Sequence, residues 1–205
     1  TEGGSVTAPG EGIFLHGEGT VINVVATPDD GYRFLNWTGD VNDIANVDDP
    51  TTTITMNQDC SITANFEEGE AVTFVDPNLE AAIREAIDVP DRPIYPSDLP
   101  GLTSISASGK NISNLTGLEQ CIDLTHLDLS YNQIGIIAPL TNLTNLAYLQ
   151  LDLNQIGNIS YLVENDGFGG GDAIYLRGNP LSFASINTYV PELRGRGVTV
   201  VYDEQ

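Results

Sequence analysis

Residues 127–134 read LDLSYNQI and residues 149–156 read LQLDLNQI, nearly the same phrase 22 residues apart. A fixed period of about 20 to 50 residues marks a solenoid, because each short unit has an apolar face that only its neighbours can cover. The register runs further in both directions. LTSISASGKNI fills 102–112, LTHLDLSYNQI 124–134, LAYLQLDLNQI 146–156 and GDAIYLRGNPL 171–181, so each segment is one coil.

Within a coil the spacing LxxLxL predicts a short strand with its aliphatic side chains turned inward, since alternate residues of a strand face opposite ways. Asn132, Asn154 and Asn179 follow at the bend. Their stacked amides are expected to form a ladder that satisfies buried backbone groups in place of water. Losing one such amide should cost about 1–3 kcal/mol. In the first coil Lys110 takes this place, so that rung is open or is met by whatever covers the end.

Beyond each bend Ile112, Leu115, Leu118 and Cys121, then Ile134, Ile137, Leu140 and Leu143, then Ile156, Ile159 and Leu162 recur as the opposite wall of the core. Cys121 stands in a leucine's place and reads as a small buried hydrophobe. From Asn154 to Asn179 the interval lengthens to 25 residues, and NDGFGGGD (165–172) takes up the excess. Its glycines suggest a mobile loop on the side away from the strands.

The open ends of such a stack need lids. DPNLEAAIREAI offers Asp76 as a helix N-cap and Pro77 at the first helical position, with Leu79, Ile83, Ala86 and Ile87 on one face. After the last coil, SFASINTYVPEL reads as a helical or irregular return, and Val198 to Tyr202 as a closing strand.

The first 68 residues differ in kind. TVINVVA, YRFLNW, TTITM and SITANF alternate over short spans between the turn signals PDDG, TGD and DDP, which suits a small antiparallel β-domain. Tyr32, Phe34, Trp37 and Phe66 are its expected core, and Cys60 is expected to point outward. EEGEA (67–71) carries the junction. The organisation is therefore α+β: a β-domain at 1–68, a junction at 69–71, a helical N-terminal cap at 72–100, repeats with a parallel concave sheet at 101–181, and a C-terminal cap at 182–205.

The 22-residue period, the run NQIGIIAPLTNLTNL and the helical opening FVDPNLEAAI resemble the leucine-rich repeats of the internalin family, over about residues 72–205. The pattern TP..GY.F..W.GD with a terminal TANF resembles the divergent B-repeat of secreted and cell-wall bacterial proteins, over about residues 1–68. Both resemblances imply a bacterial cell surface or secreted location. In the internalin family the repeats recognise a protein partner and the B-repeat-like modules come later in the chain; here the order is reversed.

Lys and Arg total 7 against 29 Asp and Glu, a formal charge of −22. This acidity disfavours nucleic acid and anionic membrane surfaces as partners. No run approaches the roughly 18 to 20 apolar residues of a spanning helix, and the opening TEGGSVTAPG lacks the basic and apolar regions of a leader. From composition alone, the chain is expected to be cytosolic or to have lost a leader and other domains. Cys60 and Cys121 fall in different domains and His16 and His126 are equally scattered, so no disulfide, zinc cluster or cofactor is expected.

If the leucines face inward, the residues between them form an accessible wall. It comprises Ser104, Ser106 and Ser108, then His126, Asp128 and Ser130, then Tyr148, Gln150 and Asp152, then Tyr175 and Arg177, with Tyr131 and Leu153 at its edge. With strands about 4.8 Å apart, the patch is about 15 to 20 Å wide. Tyr and Arg are enriched at interface hot spots, so Tyr148, Tyr175 and Arg177 mark this wall as a face for a protein or glycan ligand. His126, Asp128 and Ser130 have the residue types of a hydrolytic triad, but side chains two apart on one strand stand about 6.5 to 7 Å apart in parallel, too far for a nucleophile and its base. Asp40, Asn42, Asp43, Asp48 and Asp49 share one loop and are weak calcium candidates, without the ligand spacing of an EF-hand. The sequence thus points to a non-enzymatic binding and adhesion module. The alternatives are a structural spacer in a large surface protein and an accessory domain of a secreted hydrolase.

Overall fold

The computed structural model describes residues 2–204. The chain divides into two compact units, Thr1–Ala71 and Val72–Gln205.

The first unit is wholly β. Strands β1 (Gly4–Ala8), β2 (Thr20–Pro28) and β4 (Thr51–Met56) form one antiparallel sheet in the order β1-β2-β4, and β3 (Tyr32–Gly39) pairs with β5 (Ile62–Glu68) in a second. Alternation in β2 and β4 sends Val24, Ala26 and Ile54 inward, where they meet Trp37 and Ala64 from the other sheet. The aromatic core expected from sequence holds only in part. Trp37 is buried, Phe34 and Phe66 are half-buried around it, and Tyr32 lies outside the cluster. Cys60 does not point outward, because it packs partly against this core. Strand β1 carried too little alternation to be seen in the sequence.

In the second unit, α1 (Pro77–Ile87) begins at Asp76, whose Oδ1 accepts from the N–H groups of Asn78 and Leu79. The other carboxylate oxygen accepts from Ser113 N at 2.7 Å, Ser113 Oγ at 3.0 Å and Asn114 N at 3.2 Å, which ties the helix start to the first coil. The helix buries Leu79, Ala82 and Ile83 in the core shared with the coils, whereas Ala86 in its last turn is exposed.

Five three-residue strands then form one parallel sheet: β6 (Ser104–Ser106), β7 (His126–Asp128), β8 (Tyr148–Gln150), β9 (Ala173–Tyr175) and β10 (Thr199–Val201). A short helix, α2 (Ser160–Glu164), precedes β9. A π-turn at Ser185–Tyr189 leads into α3 (Val190–Gly195) before β10. The register aligns Ile105, Leu127, Leu149, Ile174 and Val200 as one inward row, each no more than 3% exposed. Packing of this kind is worth roughly 1.5–3 kcal/mol for each large aliphatic side chain. The closing strand is thus the fifth member of the sheet itself, and it is shorter at both ends than the Val198–Tyr202 span read from sequence.

The ladder asparagines each hold two neighbouring coils. Asn132 Oδ1 accepts from Ile112 N at 2.9 Å, Asn154 Oδ1 from Ile134 N at 3.0 Å and Asn179 Oδ1 from Ile156 N at 3.0 Å. Their amides donate back to Ala107, Leu129 and Leu151 of the preceding coils and to carbonyls of their own bends. In the first coil Lys110 instead reaches Glu85 of α1, Nζ to Oε2 at 2.8 Å.

The NDGFGGGD segment is pinned rather than free of contacts. Asn165 and Phe168 are buried, each 22 residues after an interior leucine, Leu143 and Leu146. Asn165 donates to the Leu140 and Leu143 carbonyls and accepts from Gly167 N. Gly167 runs so close to Thr144 that a Cβ would collide with its carbonyl, which is why no larger residue fits. The extra length is therefore confined to Gly169, Gly170 and Gly171.

Candidate functional site

The outward residues of the parallel sheet form three rows. Ser104, His126, Tyr148, Ala173 and Thr199 are in register, as are Ser106, Asp128, Gln150, Tyr175 and Val201. The third row follows the strands with Ser108, Ser130, Asp152 and Arg177, of which Ser130 is buried. Thr199 and Val201 extend the face beyond the residues found by repeat matching, because β10 lacks the leucine phrase and joins the sheet only through its pairing with β9.

The rings meet along this face. His126 stacks on Tyr148 with centroids 5.9 Å apart and planes inclined by 23°, and Tyr148 meets Tyr175 at 5.4 Å and 49°. The second contact is diagonal, since Tyr175 is in register with Gln150 and Tyr148 with Ala173. Tyr148 donates its hydroxyl to Gln150 Oε1 at 2.8 Å. The surroundings raise the Tyr148 pKa above its ordinary value: local burial contributes most, followed by Tyr175 and the charges of Asp128 and Asp152. His126 is exposed and its Nδ1 lies 2.9 Å from Thr125 Oγ1. Arg177 is exposed and makes no ion pair among the described residues.

One expected member of the wall is not accessible. Ser130 is 2% exposed, its Oγ donating to Asp128 Oδ1 at 2.6 Å and lying 2.9 Å from Ser108 Oγ. Alternation put it outward, but the strand has ended by this point and Tyr131 enters the left-handed region (φ 57°), so the bend carries Ser130 inward. The serine is thus paired with the aspartate rather than with His126, which does not build a relay from base to nucleophile. Tyr131 and Leu153 are exposed at the edge of the face, at 63% and 45%.

In the first unit the acidic loop spends its oxygens locally. Asp40 accepts from Ser61 N, Asp43 from the Asn57 amide and Asp49 from Thr51 N, while Asn42 and Asp48 are exposed. Among the described residues no group of three or more His, Cys, Asp or Glu is placed to hold a metal ion. A cavity of about 590 Å³ opens over this unit's own core, with Trp37, Met56, Cys60 and Phe14 in its wall. Cys60 titrates above the ordinary thiol value, first through burial and then through Asp40, Asp43 and Asp59.

Residues 1–70 match the divergent InlB B-repeat domain, and residues 122–164 match the leucine-rich repeat family in two copies. An internalin (InlF) from Listeria monocytogenes is similar in structure at 28% identity and a TM-score of 0.50, covering 55% of this chain and 33% of its own. The chain is an internalin-like leucine-rich repeat protein with a B-repeat module. The functional domain of InlJ from Listeria monocytogenes is also similar (26% identity, TM-score 0.45, 57% of this chain and 28% of that one). So are the CBM51-2 and INT domains of Clostridium perfringens ZmpB (23%, 0.37, 47% and 20%). This internalin-like chain thus spans about a third or less of the length of these structures. No curated protein matches it significantly. No helix among its described residues is long and apolar enough to cross a membrane.

Proposed function

We propose that this chain is the binding portion of a bacterial surface or secreted protein, and that it works without catalysis by recognising a protein surface, or a glycan, on the parallel sheet of its repeats. The observation that carries this reading is the run of rings from His126 through Tyr148 to Tyr175, with Tyr148 in contact with both of the others, on a face built from a paired sheet. Such rings give large contact area with few rotatable bonds, so little freedom is lost on binding. In this reading residues 72–100 and 182–205 are caps that keep the aliphatic core of repeats 101–181 covered, and 1–68 is a separate β-module joined through 69–71. The site consists of His126, Asp128, Tyr148, Gln150, Asp152, Tyr175 and Arg177, with Ser130 as an internal support for Asp128.

The test is a screen of the immobilised chain against arrayed extracellular protein domains and glycans, repeated with Tyr148→Ala and Tyr175→Ala. Both substitutions should abolish capture of the ligand while shifting the melting temperature by no more than about 2 °C, as expected for changes outside the core. Equal capture by variants and parent would favour a spacer role.

A further inference from the structure

We infer that the ligand of this face presents a cationic side chain, a guanidinium or ammonium group, which seats against the Tyr148 and Tyr175 rings between the carboxylates of Asp128 and Asp152; this rests on the concave-face reading above. The rings supply π faces that attract cations through their quadrupoles. The carboxylates supply charge already fixed in direction. Asp128 Oδ1 is held by Ser130 N at 2.9 Å and by Ser130 Oγ at 2.6 Å, and Asp152 Oδ1 by Arg177 N at 2.6 Å. In both residues the other oxygen, Oδ2, has no hydrogen-bond partner among the described residues. Asp128 is therefore oriented by its own coil and Asp152 by the next one, and each keeps an acceptor for something outside them, so pairing with an incoming cation freezes little further rotation.

The charge balance of the face agrees. Asp128, Asp152 and Asp203 stand against Arg177, and Asp203 Oδ2 is likewise anchored, accepting from Gly178 N at 2.7 Å. Arg177 reaches Asp152 through its main chain and forms no ion pair that would neutralise either free carboxylate oxygen. Tyr148 senses both carboxylates, which are among the causes of its raised pKa. Over a longer range the chain's charge of −22 attracts cations and repels acidic partners. An acidic glycan or an acidic protein patch would meet two unpaired carboxylates beside the rings, a costly approach for like charges.

The probe is an acetylated, amidated Gly-Arg-Gly-Arg-Gly peptide, with its citrulline counterpart as the neutral isostere, titrated into the full chain and followed by two-dimensional NMR of the His126, Tyr148 and Tyr175 rings. The arginine peptide should shift these resonances saturably, and citrulline or the double substitution Asp128→Asn/Asp152→Asn should weaken binding by about fivefold or more, with weakening also on added salt. A control with the same charge change elsewhere, Asp88→Asn/Asp91→Asn, should change it by less than about twofold. Equal binding of the citrulline peptide, or equal loss in the control, overturns the inference. The citrulline comparison needs no variant, so a poorly folded double mutant does not weaken it. If the arginine peptide leaves the rings unshifted while Tyr148→Ala still abolishes capture of the ligand found by array, the cation inference fails and the concave-face reading stands. If Tyr148→Ala also leaves that capture intact, both fail.

Discussion

Ile134 donates its backbone N–H to Oδ1 of Asn154, 20 residues further along the chain, at 3.0 Å. The amide of Asn154 meanwhile donates to the carbonyls of Leu129 at 2.9 Å and Leu151 at 3.1 Å, so one side chain satisfies backbone groups of two coils where the aliphatic core excludes water. Replacing Asn154 by Ala orphans these groups and should lower the stability of the repeat unit by about 1–3 kcal/mol, with Asn132→Ala similar. Asn179→Ala should cost less, because Asn179 is half-buried where Asn132 and Asn154 are 8% and 6% exposed. Urea unfolding followed by a probe within the repeats would measure this, and a midpoint unchanged in Asn154→Ala would show that water replaces the amide.

The strands, their register and the asparagine positions were legible because each recurs at a 22-residue spacing, so any one coil is read with the help of the others. Placements that differ from one coil to the next are not legible in this way. Alternation places Ser130 outward, but the strand ends at Asp128 and the bend turns the serine inward. Asn165 stands beside glycines that suggest a loose loop, although counting 22 residues on from Leu143 lands on it. Its burial was hidden because a polar residue occupies a leucine's place. The diagonal meeting of Tyr148 and Tyr175 depends on ring orientation, which spacing does not determine.

Gly109, Tyr131, Leu153 and Gly178 occupy the same place in successive coils, each just before the ladder position and each in the left-handed region, with φ of 68°, 57°, 55° and 68°. At Gly178 a Cβ would come within 2.6 Å of Leu153 Cδ2. Gly178→Ala therefore combines left-handed strain of about 1–2 kcal/mol with a steric clash. The clash ends on a side chain that can be shortened, so Leu153→Ala should recover part of the loss. A double-mutant cycle by urea unfolding should show this coupling, whereas strictly additive effects would mean that Gly178 is needed for its backbone alone.

The two thiols should separate cleanly by reactivity. Burial, with a smaller contribution from Glu119, pushes the Cys121 pKa up to about 12, and its side chain is fully enclosed in the repeat core. Cys60 is half-buried with a raised pKa, so its thiolate is scarce but reachable. Since the thiolate is the nucleophile, iodoacetamide at about pH 8 should label Cys60 slowly in the native chain and Cys121 only as the repeat unit unfolds. Mass spectrometry across a urea series would record both steps. Native labelling of Cys121 at a rate matching Cys60 would contradict the enclosed core.

Asp76 joins helix α1 to the first coil as a charged acceptor, and this makes the junction sensitive to acid. Burial on its own would raise the Asp76 pKa, but hydrogen bonds from Ser113 N, Asn78 N, Asn114 N and Ser113 Oγ outweigh it and hold the pKa below the ordinary 3.8. The folded state thus binds this proton less readily than the unfolded one. The stabilisation is complete above about 3.8 and is lost as pH falls through the lower folded value. Asp98 adds to the same trend, its pKa lowered first by the Arg92 side chain. Asp76→Asn sets an amide N–H against donors that now point at a carboxylate oxygen, much as protonation does. It should cost about 1–3 kcal/mol near neutral pH. The gap between parent and variant should then narrow as the pH is taken below 3.8, because the parent acquires the same mismatch. Urea midpoints of both proteins between about pH 7 and pH 2.5 would test this, and a gap constant across that range would mean that the charge of Asp76 contributes nothing to the junction.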